Sequence, residues 1–171
     1  VSNISIREAT AEDLIGLDEV EDEADQLFAS VFHNVAWPPA PSGLERSLLP
    51  GFILVASNSP NSEVLGFIHV LAIAGDDHIE QLSVRPSMAR RGIGRALVDA
   101  AKQESLRRGR DRITLRTFAD VPWNAPFYES CGFAQCDPDT DFLRGLVNLE
   151  EKSRVAAHGR RIQMKIELSD I

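Results

Sequence analysis

Two cysteines, Cys131 and Cys136, in 171 residues are too few to staple a disulfide scaffold. Neither stands at metal-ligand spacing to the four scattered histidines, so no metal is expected. No apolar run approaches the ~18 residues of a membrane-spanning helix, and the acidic N-terminal stretch is unlike a signal or transit peptide. We therefore expect no membrane partner and a cytoplasmic location. Positive charge is also scarce: 18 Lys and Arg face 26 Asp and Glu, a net charge of −8, which argues against nucleic acid as a partner. Internal repeats and linkers are absent as well, so one domain over residues 1–171 is expected, with 43% apolar residues to build its core.

The charge is distributed unevenly. Residues 85–116 hold 10 of the 18 bases against 3 acids, whereas residues 8–25 hold nine acids and no base. The basic block suits a small polyanion such as a nucleotide phosphate, or a solvated helix face, the reading for Lys102, Arg107 and Arg108. The acidic segment hints at a cationic partner.

Taken in order, Ile4 to Arg7 reads as a first strand, and Thr10 with Asp13 reads as a box-like helix start followed by Leu14, Leu17, Val20 and Ala24. Leu27, Phe28, Val31 and Phe32 extend the apolar face. Residues 34–51 form a Pro-rich loop around a short helix at Leu44 to Leu49, with Trp37 either a core plug or part of a substrate pocket. Phe52 to Ala56 and Val64 to Ala74 make an antiparallel hairpin across residues 57–62, and His69 inside it reads as a core histidine or a base. His78 to Val84 is the fourth strand; strict alternation puts His78, Glu80, Leu82 and Val84 on one face. A helix over residues 92–108 ends at Gly109, and Arg112 to Phe118 is then a strand parallel to the fourth. A helix over residues 123–131 starts at Asn124 as cap, Leu143 to Ala157 forms another, and Arg161 to Leu168 alternates as a last strand.

The informative stretch is Ser83 to Val98. A strand stops at Pro86, a turn carries Arg90, Arg91, Gly92 and Gly94, and the helix after it has no polar side chain at its start. Its first N–H groups lack partners, the helix dipole adds about half a positive charge, and the glycines let a ligand reach the backbone. With Arg90, Arg91 and Arg95 around it, this is a phosphate site or an ordinary glycine turn. A dinucleotide fingerprint would need a third glycine where Leu97 stands, and a phosphate-binding Gly-Lys-Ser/Thr loop is absent.

This stretch resembles motif A of the GNAT superfamily of N-acetyltransferases, Q/R-x-x-G-x-G/A, with Gly92 and Gly94 in the glycine places and Ala89 in the place of the Gln or Arg. Asn124-Ala125-Pro126-Phe127-Tyr128-Glu129-Ser130-Cys131-Gly132-Phe133 resembles the family's motif B. The resemblance implies a single-domain α/β fold, a mixed six- or seven-stranded sheet flanked by helices and splayed between strands 4 and 5. It implies acetyl-CoA as co-substrate, its pyrophosphate on the backbone of Ala89, Arg90, Arg91, Gly92, Ile93, Gly94 and Arg95. Its pantetheine arm would pair with the fourth strand near Leu82 and Val84 and reach Asn124.

Acetyl transfer to an amine needs a base, because near pH 7 only about one alkylamine in a few thousand is neutral. By resemblance Glu80 is the base, acting directly or through water, and Tyr128 the acid that protonates the coenzyme sulfur. The expected function is N-acetylation of a primary amine, in a small molecule or peptide and cationic by the acidic-segment hint, by direct transfer in a ternary complex. Left open are a non-catalytic acyl-CoA sensor, another acyl donor or a hydroxyl acceptor, and a homodimer.

Overall fold

The computed structural model describes residues 4–33, 37–59, 62–153 and 155–171. Seven strands, β1 (Ser5–Glu8), β2 (Gly51–Ser57), β3 (Val64–Ile73), β4 (Asp76–Val84), β5 (Arg112–Phe118), β6 (Ala134–Cys136) and β7 (Arg161–Glu167), form one sheet in the order β1-β2-β3-β4-β5-β7-β6. The helices are α1 (Leu17–Asp25), α2 (Gly43–Ser47), α3 (Ile93–Arg107), α4 (Ala125–Ser130) and α5 (Asp141–Lys152). Every neighbouring pair of strands is antiparallel except β4 and β5. The α/β fold with a mixed sheet of six or seven strands, as expected from the sequence, is thus present, and the sheet has seven.

Alternation along β2 and β3 divides the core between the two faces of the sheet. Leu97, Val98 and Ala101 of α3 pack with Phe52, Leu54, Ile68 and Val70. Leu17 and Val20 of α1 pack with Ile53, Val55 and Phe67 on the other face. Leu17, Phe67, Ile68 and Leu97 are fully buried, and each contributes roughly 1.5–3 kcal/mol through that burial.

Strand β4 does not alternate as expected. His69 lies opposite Gln81 and Val70 opposite Ile79, so Glu80 is the extra residue of a bulge, and the strand changes phase there. Leu82 and Val84 therefore join Ile79 on the α3 side, instead of sharing a face with His78 and Glu80. The Glu80 carboxylate lies on the other side, with its oxygen 3.1 Å from His69 Nδ1.

Pairing between β4 and β5 covers only Asp77 with Ile113, His78 with Thr114 and Ile79 with Leu115. Both strands continue, to Val84 and Phe118, so they splay beyond Ile79 as expected. Over Glu80 to Val84 the edge of β4 that faces β5 has no ladder partner.

Some boundaries differ from the sequence reading. Thr10 and Asp13 do bond each other, through Thr10 N–H and Oγ to the carboxylate at 2.7 and 2.8 Å, but they close a turn. Gly16, at φ 89°, interrupts it, and the helix begins at Leu17. Residues 26–30 form a 3₁₀ turn with no buried residue. In α2 a capping box of Ser42 and Glu45 sets the start. Lys102 is buried, donating to the Cys131 carbonyl at 2.5 Å, so it is no part of a solvated face. The short β6 follows Gly132, whose φ of 92° reverses the chain after α4. Residues 34–36 of the Pro-rich loop, residues 60 and 61 of the hairpin loop, and Arg154 of the last predicted helix lie outside the described residues.

Candidate active site

A cavity of about 890 Å³ follows the splay between β4 and β5. One end is the turn before α3, the middle is the wedge, and the other end is walled by α1, the following 3₁₀ turn and the loop at Trp37.

At the first end Arg90 and Gly92 both take positive φ, 63° and 79°. Gly92 is the N-cap of α3 and no side chain caps the helix. The first N–H bonded inside the helix is that of Ala96, to Gly92 O at 3.0 Å, which leaves the amides of Ile93, Gly94 and Arg95 without intrahelical partners. A Cβ at Gly92 would meet nothing within 4 Å, and one at Gly94 would stand 3.4 Å from the Phe127 ring. Ala89, Arg90, Gly92, Ile93, Gly94 and Arg95 line the cavity, whereas Arg91 is exposed and does not. Arg95 is tied to Ser130 by two bonds of 2.8 Å.

In the wedge, Leu82 and Val84 lie on β4, and Asn124 and Tyr128 approach from α4. Asn124 is not the expected side-chain cap of α4. Its Oδ1 accepts the Thr117 hydroxyl at 2.7 Å, while its Nδ2 is buried without a partner. Tyr128 is buried and lines the cavity. Burial pushes its phenol well above the ordinary value, helped by Cys131 and opposed by Arg161.

At the far end Glu80 meets Glu21 and Asp25 of α1. Beneath them lies Arg46 of α2, 2% exposed, which donates to both Glu21 and Glu80 and stacks over Phe67 at 5.3 Å. Burial pushes the Glu80 carboxyl up, but the hydrogen bond from His69 and the charge of Arg46 outweigh it and leave it below the ordinary carboxylate range. For Glu21 burial wins: with Asp25, Glu80 and Asp22 nearby, and against Arg46, its carboxyl is raised to about 7. Asp25 is raised to about 6, by burial and then by Asp22. Three carboxyl groups around one buried guanidinium, one held below the ordinary range and two raised toward neutrality, can accept and hold protons. His69 is buried beneath Glu80.

The sequence did not single out Glu21, Asp25 or Arg46. A signal existed for the first two. Leu17, Glu21 and Asp25 follow one another at the i, i+4 spacing, so the carboxylates continue the stripe that buries Leu17. Nothing in the sequence marked Arg46 as buried. Beside the carboxylates, Phe28 packs against Trp37 at 5.6 Å, Trp123 at 5.8 Å and Phe118 at 5.8 Å.

The mixed sheet is thus opened between its one parallel pair, with bare helix amides at one end of the opening, a space suited to an extended ligand with an anionic end. The family model described as an acetyltransferase (GNAT) domain matches residues 50–135, half of the chain, and the chain belongs to this family. It is therefore an enzyme, an acyltransferase. Solved structures share the fold. The PaiA N-acetyltransferase of Thermoplasma acidophilum, solved with coenzyme A, is 22% identical, with a TM-score of 0.67 and coverage of 96% of this chain and 99% of that one. A GNAT-family acetyltransferase of Staphylococcus aureus is 14% identical, with a TM-score of 0.72 and coverage of 96% and 99%. An aminoglycoside 6′-N-acetyltransferase complexed with coenzyme A is 17% identical, with a TM-score of 0.63 and coverage of 96% and 97%. Among the described residues no helix is long and apolar enough to cross a membrane, and no group of three or more His, Cys, Asp or Glu could hold a metal ion.

Proposed function

We propose that residues 1–171 act as one domain that transfers the acetyl group of acetyl-CoA directly to a primary amine, with both substrates bound at once. The observation that carries this reading is the continuity of the cavity: uncapped amides, open strand edge and carboxylate cluster border one space.

The diphosphate of acetyl-CoA sits on the amides of Ile93, Gly94 and Arg95, with Ala89, Arg90 and Gly92 shaping the turn and Arg90, Arg91 and Arg95 supplying charge. Ala89 has lost the long side chain of the family motif but keeps its N–H. The pantetheine arm pairs with β4 near Leu82 and Val84, and the free Nδ2 of Asn124 donates to one of its carbonyls.

The amine gives up a proton to the Glu80 and Glu21 pair. Glu80 is ionised across the neutral range, and Glu21, raised to about 7, is the member able to hold the proton there. The nitrogen then attacks the thioester carbon; a C–N bond forms and the carbonyl becomes an oxyanion, met by a β4 N–H near Leu82. Collapse breaks the C–S bond, Tyr128 hands its proton to the sulfur, and the phenolate takes back the proton that the new amide nitrogen releases.

The test is release of free coenzyme A thiol from acetyl-CoA against a panel of primary amines. Acceptor-dependent release is expected, and heat on titration with coenzyme A should accompany it. Binding of acetyl-CoA with no amine able to trigger thiol release removes the transfer reading.

A further inference from the structure

The acceptor end of the cavity has two unlike walls. One carries Glu21, Asp25 and Glu80, three carboxyl groups held around the single guanidinium of Arg46, so the site has an excess of negative charge. The other is aromatic: Phe28 at its centre, with Trp37 and Trp123 tilted against it. The two walls meet where α1 runs into the 3₁₀ turn. Asp25 and Phe28 are three residues apart there, a spacing that stacks side chains about 5–6 Å apart on one face.

Opposite the acids, Arg116 and Arg161 share one carboxylate, Glu150, at 2.9 and 2.8 Å, and the Arg161 guanidinium covers the Phe118 ring at 4.5 Å. A cation reaching past the aromatic wall would meet that unbalanced charge, and a carboxylate beside the amine would face the acids. The wall itself offers few groups to a hydroxyl-rich body.

From this arrangement we infer that the acceptor is a monocationic primary amine joined by a short alkyl linker to an aromatic ring, an arylalkylamine, with its ammonium at Glu21, Asp25 and Glu80 and its ring on Phe28, Trp37 and Trp123. The inference rests on the amine acetylation proposed above. Ring on ring gives offset or edge contacts in the geometry that Phe28 already makes with both tryptophans, and the ammonium adds a cation–π term at the rim. This reading sets aside the polyamine, aminoglycoside and basic-peptide acceptors that the acidic segment alone suggests.

The chain has two tryptophans, and both line this wall, so intrinsic fluorescence reports on it without turnover. Titration of the full chain with 2-phenylethylamine in saturating coenzyme A should change tryptophan emission, and spermidine at equal concentration should not. In the thiol assay, kcat/KM for 2-phenylethylamine should exceed that for butylamine and for spermidine by about tenfold, and phenylalanine, which carries a carboxylate, should react poorly. Phe28→Ala should raise KM for 2-phenylethylamine severalfold more than it raises KM for butylamine, with Phe28→Leu intermediate. Spermidine or butylamine reacting as well as 2-phenylethylamine overturns the arylalkylamine assignment and leaves acetyl transfer standing. Silence toward every amine, with coenzyme A still bound, overturns both.

Discussion

The Thr117 hydroxyl donates to Asn124 Oδ1 at 2.7 Å, and this bond fixes which end of the Asn124 amide faces the wedge. It leaves Nδ2 buried and unpaired, a state that costs about 1–3 kcal/mol unless a ligand carbonyl accepts from it. Thr117→Val removes the donor, frees the amide to turn and should weaken coenzyme A binding about two- to tenfold. Asn124→Asp, which has no N–H to offer, should weaken it further. Calorimetric titration with coenzyme A checks both, and unaltered heats in both variants would detach Asn124 from the pantetheine.

The pH response should be set by Glu21. Its carboxyl is raised from the ordinary 4.5 to about 7, so between those values the folded chain keeps a proton that the unfolded chain has lost. Stability from this group therefore falls as pH rises from about 4.5 to 7 and is flat above. Glu21→Gln mimics the protonated form, and relative to wild type it should gain on the order of 2 kcal/mol between pH 5 and pH 8, some 4–8 °C in Tm. The acid limb of kcat/KM near pH 7 should vanish in the same variant. Thermal melts and pH–rate profiles measure the two effects separately, and a limb that persists in Glu21→Gln assigns the proton to another group.

Arg46 is the only buried cation of that cluster, so its removal strands Glu21 and Glu80. Arg46→Met should cost about 3–5 kcal/mol at pH 8, read as a lower Tm. The loss should shrink toward pH 5, where Glu21 is protonated in the folded chain and needs no counter-charge. An equal loss at both pH values would mean that Arg46 stabilises through Glu80 and its packing on Phe67, with no contribution from Glu21.

Much of this site was legible because its requirements are local. An uncapped helix after Gly92, and a parallel pair implied by strand, helix and strand, are each fixed by residues close in sequence. The faces of β4 were not, because a bulge is a mismatch between two strands, and the pattern of one strand cannot reveal it. Long-range contacts hid the rest: Arg46 and Glu80 are 34 residues apart, and Thr117 reaches Asn124 across the turn before α4. Asn124 read as a cap because its residue type suits one, and the tertiary partner overrode that preference.

The two turn glycines should separate backbone strain from ligand access. At Gly92 a Cβ meets nothing, but φ of 79° makes any other residue costly, so Gly92→Ala should lose about 1 kcal/mol of stability. At Gly94, inside the helix, alanine brings a better helix former and an ordinary contact with Phe127, so Tm should hold or rise. A methyl group there faces the Phe127 ring and Val84, and the family motif accepts alanine at this place, so coenzyme A affinity should hold. Melting curves with and without coenzyme A distinguish the two glycines, and a loss of coenzyme A affinity in Gly94→Ala would mean that the methyl group reaches the bound ligand.

In the proposed reaction Tyr128 has to stay protonated until the C–S bond breaks. Its burial, which raises the phenol above its ordinary value, secures that at every neutral pH. The same shift makes the phenol a weaker acid, so transfer to a thiolate is uphill unless it accompanies bond cleavage. Tyr128→Phe should therefore lower kcat about 10²-fold or more while coenzyme A binding stays intact, since the ring and its contacts with Phe127 and Phe133 remain. An acetyl thioester of a more acidic thiol needs less help from a proton and should recover much of the lost rate. Equal losses with both thioesters would give Tyr128 a packing role and leave the sulfur to be protonated by water.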